Sequence, residues 1–158
     1  MSKKPYVLAV GSLMYAMLCT KSNIYYAVRV VSQYQSNLAV EHWTAVKHIL
    51  KYLNRMRDYM LVYSNESLEI LGYTDFNFQA DIDSNKSTSE YVFTLNGGAI
   101  CWRSVKQTCV ATSATKAEYM AISEAAKEDV WLQKFFLDLH VISSANRPIT
   151  LYLITMGL

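Results

Sequence analysis

The chain has little that bends or breaks a backbone, with 5 glycines and 2 prolines in 158 residues. Long linkers and disordered tracts are richer in both, so neither is expected. Charge is sparse as well: Asp, Glu, Lys and Arg make up 18% of the chain, against roughly 25% in an average globular domain. A formal net charge of +2 is too small to name a nucleic-acid partner by itself. The three cysteines, Cys19, Cys101 and Cys109, are odd in number and show no Cys-x-x-Cys spacing. That argues against a disulfide framework and for reduced thiols inside a cell, in the cytoplasm or nucleus.

Other absences narrow the function. No apolar run reaches the roughly 20 residues that span a bilayer, so no membrane is expected as a partner. The start, Met1-Ser2-Lys3-Lys4-Pro5, is basic and an apolar segment follows. A cleavable signal would end that segment in small residues, and Tyr15 and Thr20 fit poorly. There is no glycine-rich phosphate loop and no spacing that supports Ser-His-Asp catalysis. His42 and His48 are six apart and would not share a helix face, and His140 stands alone. No histidine metal site is expected.

What is present is apolar: 52% of residues are hydrophobic, enough to bury a core in one domain with an appendage. Residues 6–20 read as a helix, and Ala27, Val28, Val31 and Tyr34 repeat at helical spacing. Trp43, Val46, Ile49, Leu50 and Leu53 make the apolar face of a third helix, with Lys47, Lys51 and Arg55 four apart on another. That basic stripe is either a solvated face or a contact for nucleic-acid phosphates.

The period then shortens. Strands are expected at Tyr59–Tyr63, Glu69–Asp75, Tyr91–Leu95, Ala99–Arg103 and Gln107–Thr112, with a loop over Asp81–Ser89. Asn96-Gly97-Gly98 is a hairpin signal. Thr115–His140 reads as a long helix with Met120, Ala121, Ala125, Val130, Leu132, Phe136 and Leu139 as apolar contributors. A loop over Ser143–Pro148 leads to a last strand, Ile149–Ile154. Tyr73, Phe76, Phe78, Tyr91, Phe93 and Trp102 are assigned to a core rather than to base stacking. Trp102-Arg103 with Lys106 could touch a nucleic-acid backbone or simply charge a sheet edge. The fold class is α/β, an α+β mixed sheet with a helical subdomain in front.

Several stretches fall in order along nearly the whole chain: Gly11-Ser12-Leu13-Met14-Tyr15, Glu41-His42-Trp43, Ile49-Leu50-Lys51-Tyr52-Leu53, Gly72-Tyr73-Thr74-Asp75, Lys86-Ser87-Thr88-Ser89 and Ala117-Glu118-Tyr119. Together they resemble the Pol polyprotein of copia-type LTR retrotransposons. The resemblance implies that residues 1–58 are the helical end of the reverse transcriptase region. Residues 59–158 would then be a C-terminally truncated ribonuclease H-like domain. It implies an RNA–DNA hybrid and the remainder of Pol as partners, and Mg2+ as cofactor.

By the same resemblance Asp75 and Glu118 are catalytic metal ligands, and Lys47, Lys51, Arg55, Arg103 and Lys106 bind nucleic acid. The third carboxylate should fall in a Leu-Tyr-Cys-Asp-Asn pattern, but the chain reads Leu151-Tyr152-Leu153-Ile154-Thr155. Isoleucine cannot ligate a metal. Asn77, Glu90 and Lys116 also depart from the family pattern, and the chain stops at Leu158, before a fourth carboxylate. The expectation is family membership without hydrolysis, or a non-catalytic nucleic-acid-binding or interaction module.

Overall fold

The computed structural model describes residues 5–35, 39–63, 68–81, 84–140 and 148–154. The chain divides into two compact units, Met1–Leu61 and Val62–Leu158.

The first unit is helical: α1 (Tyr6–Cys19), a short 3-10 turn (Ser22–Ile24), α2 (Tyr25–Ser32) and α3 (Val40–Arg55). Tyr6, Val10, Leu13 and Met17 recur at helical spacing on α1 and are all buried. They pack with Ile24, Val28, Val31, Val46 and Ile49 in one core. The Tyr6 hydroxyl donates to the Val31 carbonyl at 2.7 Å, so the buried phenol is satisfied. Leu50, expected on the apolar face of α3, is 44% exposed instead. It lies about 100° around the helix from buried Ile49, off the stripe.

The second unit is a four-stranded mixed sheet with one long helix across it. Its strands are β1 (Ile70–Asp81), β2 (Lys86–Leu95), β3 (Gly98–Lys106) and β4 (Thr150–Leu153), in the order β3-β2-β1-β4. The first three are antiparallel, and β4 lies parallel to β1. The hairpin turn carries Asn96 at φ 49° and Gly97 at φ 81°. Such left-handed values favour Asn and Gly and explain the turn's sequence.

The helix α4 (Ala114–Leu139) starts where the Ser113 hydroxyl accepts the Lys116 N–H at 3.2 Å. It buries Ala117, Ala121, Ala125 and Leu132. The core beneath it includes Ile70, Tyr91 and Phe93, with Leu151 and Phe136 packed alongside. Val130 and Leu139, expected to contribute, are 53% and 49% exposed. Phe78 is 36% exposed rather than core. The mixed sheet, the long helix and the last parallel strand agree with the expectation from sequence.

Three local expectations are corrected. Residues 59–63 form no strand. Tyr63 instead lays its ring over Gly98 and donates its hydroxyl to the Ala99 carbonyl at 2.9 Å, closing the hairpin end without a ladder. The loop expected over 81–89 is mostly strand: β2 begins at Lys86, and β1 continues to Asp81 through an irregularity after Asn77. Polar Ser and Thr sit in β2 because that end of the strand is buried under α4 and hydrogen-bonded. The strand expected over 107–112 is absent. Gln107 makes one last ladder bond to the Ser87 carbonyl at 2.8 Å, and its side chain then turns inward to α4. The expected loop over 143–148 lies almost wholly outside the described residues. Among the described residues no helix is long and apolar enough to cross a membrane.

Candidate functional site

Asp75 sits in β1 and is half-buried. One of its carboxylate oxygens accepts the backbone N–H of Phe76 at 2.7 Å. Glu118, also half-buried, lies in the second turn of α4. Two contacts place both at one end of the sheet. Gln107 Nε2 donates to the Ala117 carbonyl and to Ser89 Oγ, at 2.8 and 2.9 Å. Ser89 is the cross-strand partner of Phe76, next to Asp75.

The two carboxylates belong to different sides of the sheet. Ile70, five residues before Asp75, belongs to the core under α4. Side chains alternate along a strand, so Asp75 lies on the opposite face, with Tyr73 and Tyr152, which stack at 5.4 Å.

The parallel ladder pairs Thr74 with Leu153. The Ile154 N–H then donates to the Thr74 carbonyl at 2.9 Å. Ile154 is therefore the residue beside Asp75 on the neighbouring strand, and it is 46% exposed. Nothing ionic or hydrogen-bonding faces Asp75 from that position.

A second neighbour was not foreseen. Glu90 is the direct cross-strand partner of Asp75 and accepts a hydrogen bond from the Ser104 hydroxyl. Facing carboxylates repel one another across a pair. The only signal for Glu90 in the sequence is its departure from the family glycine, and its pairing with Asp75 depends on the register of the hairpin. These donors do not fit a pair of hydrated Mg2+ ions. Among the described residues, no group of three or more His, Cys, Asp or Glu could hold a metal ion.

The basic residues are scattered. Lys47, Lys51 and Arg55 are all exposed on α3, each about 6 Å further along the helix axis. Arg103 is exposed on β3. Lys106 forms an ion pair with Asp81, and both side chains are largely buried. His42 has a structural role: its Nδ1 accepts the Ala39 N–H at 3.1 Å and its ring stacks on Tyr34 at 4.0 Å. His140 caps α4 in the left-handed conformation, φ 53°.

A polar cluster under α4 was also not anticipated. Glu128 accepts hydrogen bonds from the Tyr91 hydroxyl at 3.0 Å and the Cys101 thiol at 3.1 Å. Burial and the adjacent Glu128 push the Cys101 thiol up to about 12 and raise the Tyr91 phenol too. Both stay neutral at physiological pH, so Cys101 is an inert donor rather than a nucleophile. The three residues lie far apart in sequence, and no local motif marks them.

No family model matches the chain. No solved structure matches it at a significant level. Among curated proteins it is 49% identical, over 139 residues and 88% of its length, to the retrovirus-related Pol polyprotein from transposon TNT 1-94 of Nicotiana tabacum. It is 31% identical, over 94% of its length, to the Pol polyprotein from transposon RE2 of Arabidopsis thaliana. It spans 10% of the length of each. It is also 44% identical to the secreted RxLR effector protein 161 of Plasmopara viticola, matching 84% of this chain and 94% of that protein. The ordered motifs and these identities agree, and the chain belongs to the retrovirus-related Pol polyproteins of copia-type transposons.

Proposed function

We propose that the Val62–Leu158 unit is a ribonuclease H-like domain that has lost hydrolysis. Asp75 and Glu118 stand for two of its metal-binding carboxylates. The observation that carries this reading is the Ile154 N–H bond to the Thr74 carbonyl, which puts an isoleucine beside Asp75 where the third carboxylate belongs. The β-β-β-α-β order with β4 parallel to β1 supports it. Two-metal hydrolysis needs hard oxygen ligands on both ions, and an aliphatic side chain supplies none.

What remains is binding. The exposed Lys47, Lys51 and Arg55 offer phosphate contacts along one helix face, and Arg103 offers another on the sheet; Lys106 is partly offset by Asp81. The partner in this reading is an RNA–DNA hybrid, with the remainder of Pol alongside, inside the cell. A second reading has its own support. The relative named as an effector is matched along 94% of its length. A segment of this size can thus stand alone, which favours a non-catalytic interaction module.

The test is cleavage of a labelled RNA–DNA hybrid in Mg2+ or Mn2+. The chain is expected not to cleave, and Ile154→Asp to gain activity that Asp75→Asn then abolishes. Cleavage by the unmodified chain, lost in Asp75→Asn, would overturn the reading.

A further inference from the structure

A cleft of about 310 Å³ lies between β3 and the N-terminal half of α4. That is near the low end of the roughly 300–1,000 Å³ of small-molecule sites. Arg103, Lys106 and Lys116 line it against one acid, Glu124. Lys106 is ion-paired with Asp81, and Lys127 lies 2.7 Å from Glu124. The net positive charge of the cleft therefore comes from Arg103 and Lys116.

Its polar lining has an unusual member. Gln107 is 5% exposed, and its Nε2 is committed to Ser89 and Ala117. Its Oε1 is buried and has no hydrogen-bond donor. A buried acceptor without a donor is costly, and such atoms are rare in folded proteins. Tyr119 stands at the cleft with 71% of its surface exposed, beside apolar Met120.

We propose that this cleft binds a single nucleotide unit. Arg103 and Lys116 take the phosphate. Tyr119 offers a ring face for the base, as stacking platforms for single strands do. A simple anion would answer the cations and leave the Gln107 oxygen orphaned. A nucleotide adds hydroxyl and amino donors that complete it.

The site is separate from the Asp75 end. Glu118 lies two residues beyond Lys116, about 200° around α4. The inference therefore does not depend on the hydrolytic reading, and it needs no metal.

The experiment is titration of the full chain, in EDTA, with inorganic phosphate, adenosine and AMP, followed by calorimetry and by NMR shifts. AMP is expected to bind at least about tenfold tighter than phosphate or adenosine, the scale of one stacked base. Tyr119→Ala should bring AMP down to the affinity of phosphate. Lys116→Glu should weaken both by a similar factor. The Lys116→Glu change falls on an exposed first-turn position where an acid suits the helix, so loss of binding would not reflect unfolding. Asp75→Asn should leave every affinity unchanged. AMP that fails to bind, or binds no tighter than phosphate, overturns the proposal. So does AMP binding that is indifferent to Lys116→Glu, or that falls in Asp75→Asn.

Discussion

Gly72 sits where three strands meet, paired with Phe93 on one side and Leu151 on the other. A Cβ built on it would lie 2.6 Å from Phe93 Cε1 and 2.8 Å from Leu151 Cδ1. Carbon atoms pack best at about 3.5–4.0 Å, so Gly72→Ala demands a shift of roughly 1 Å. Leu151 can swing a terminal methyl. Phe93 cannot: it is fully buried and meets Tyr91 edge-on at 5.8 Å. Overpacking of this kind costs about 1–3 kcal/mol. Stiffening the unfolded chain returns only about 0.4–1 kcal/mol. The net expectation is a loss of about 1–2 kcal/mol, a fall in Tm of roughly 5–15 °C for a unit this small. The assay is thermal and urea denaturation of Gly72→Ala, Leu151→Ala and the double variant, followed by circular dichroism. Leu151→Ala opens the space that the new methyl needs. The double variant should therefore be more stable than the two separate losses predict, by about 1 kcal/mol. An unchanged or raised Tm in Gly72→Ala, or strict additivity, would refute the reasoning.

The opposite sign is expected at Gly11, where an added Cβ meets nothing within 4 Å on an exposed helix interior. Gly11→Ala should raise the urea midpoint, by about 0.5–1 kcal/mol in stability. Lys116→Glu should stabilise α4 by about 0.3–1 kcal/mol, since it puts an acid in the first turn and completes a capping box with Ser113. The alkaline limb of stability should steepen because of Cys101. Its thiol is held neutral in the folded protein up to about 12 and ionises earlier in the unfolded chain. That contribution is whole below the ordinary thiol range and is lost as pH rises toward 12. Cys101→Ala should therefore flatten the decline between pH 8 and 11 in denaturant titrations. Exposed Cys19 and Cys109 should react quickly with a disulfide reagent while Cys101 lags.

The sequence made the helices, the hairpin and the long α4 legible because each has a local cause: period, turn residues or a cap. Where the cause is not local, reading from sequence failed. Gln107–Thr112 has strand-forming composition, yet Gln107 leaves the ladder because its amide is claimed by Ser89 and Ala117. Lys86–Ser89 has loop composition, yet it is strand, because Ser87, Thr88 and Ser89 are buried. Tyr59–Tyr63 alternates as a strand would, but one ring covers Gly98 and no ladder forms. Propensity lost to tertiary contact in each case.

The candidate site divides the same way. Asp75 and Glu118 could be named because each belongs to a short ordered motif. Their surroundings could not, because these are set by register across strands. Shift β2 by one residue and Glu90 moves to the other face of the sheet. Shift β4 by one and Ile154 no longer stands beside Asp75. The bond from Ile154 to the Thr74 carbonyl fixes that second register. It changes Ile154 from a departure in a sequence pattern to a physical fact about the site. Asp75 has a like charge across one strand and a hydrocarbon beside it on the other. A pair of dications needs the reverse, with acids converging from both sides. The same geometry makes restoration a matter of one side chain. An aspartate at position 154 would enter a backbone already held in place at 2.9 Å, and its only requirement is a cation to offset the charge it adds beside Asp75 and Glu90.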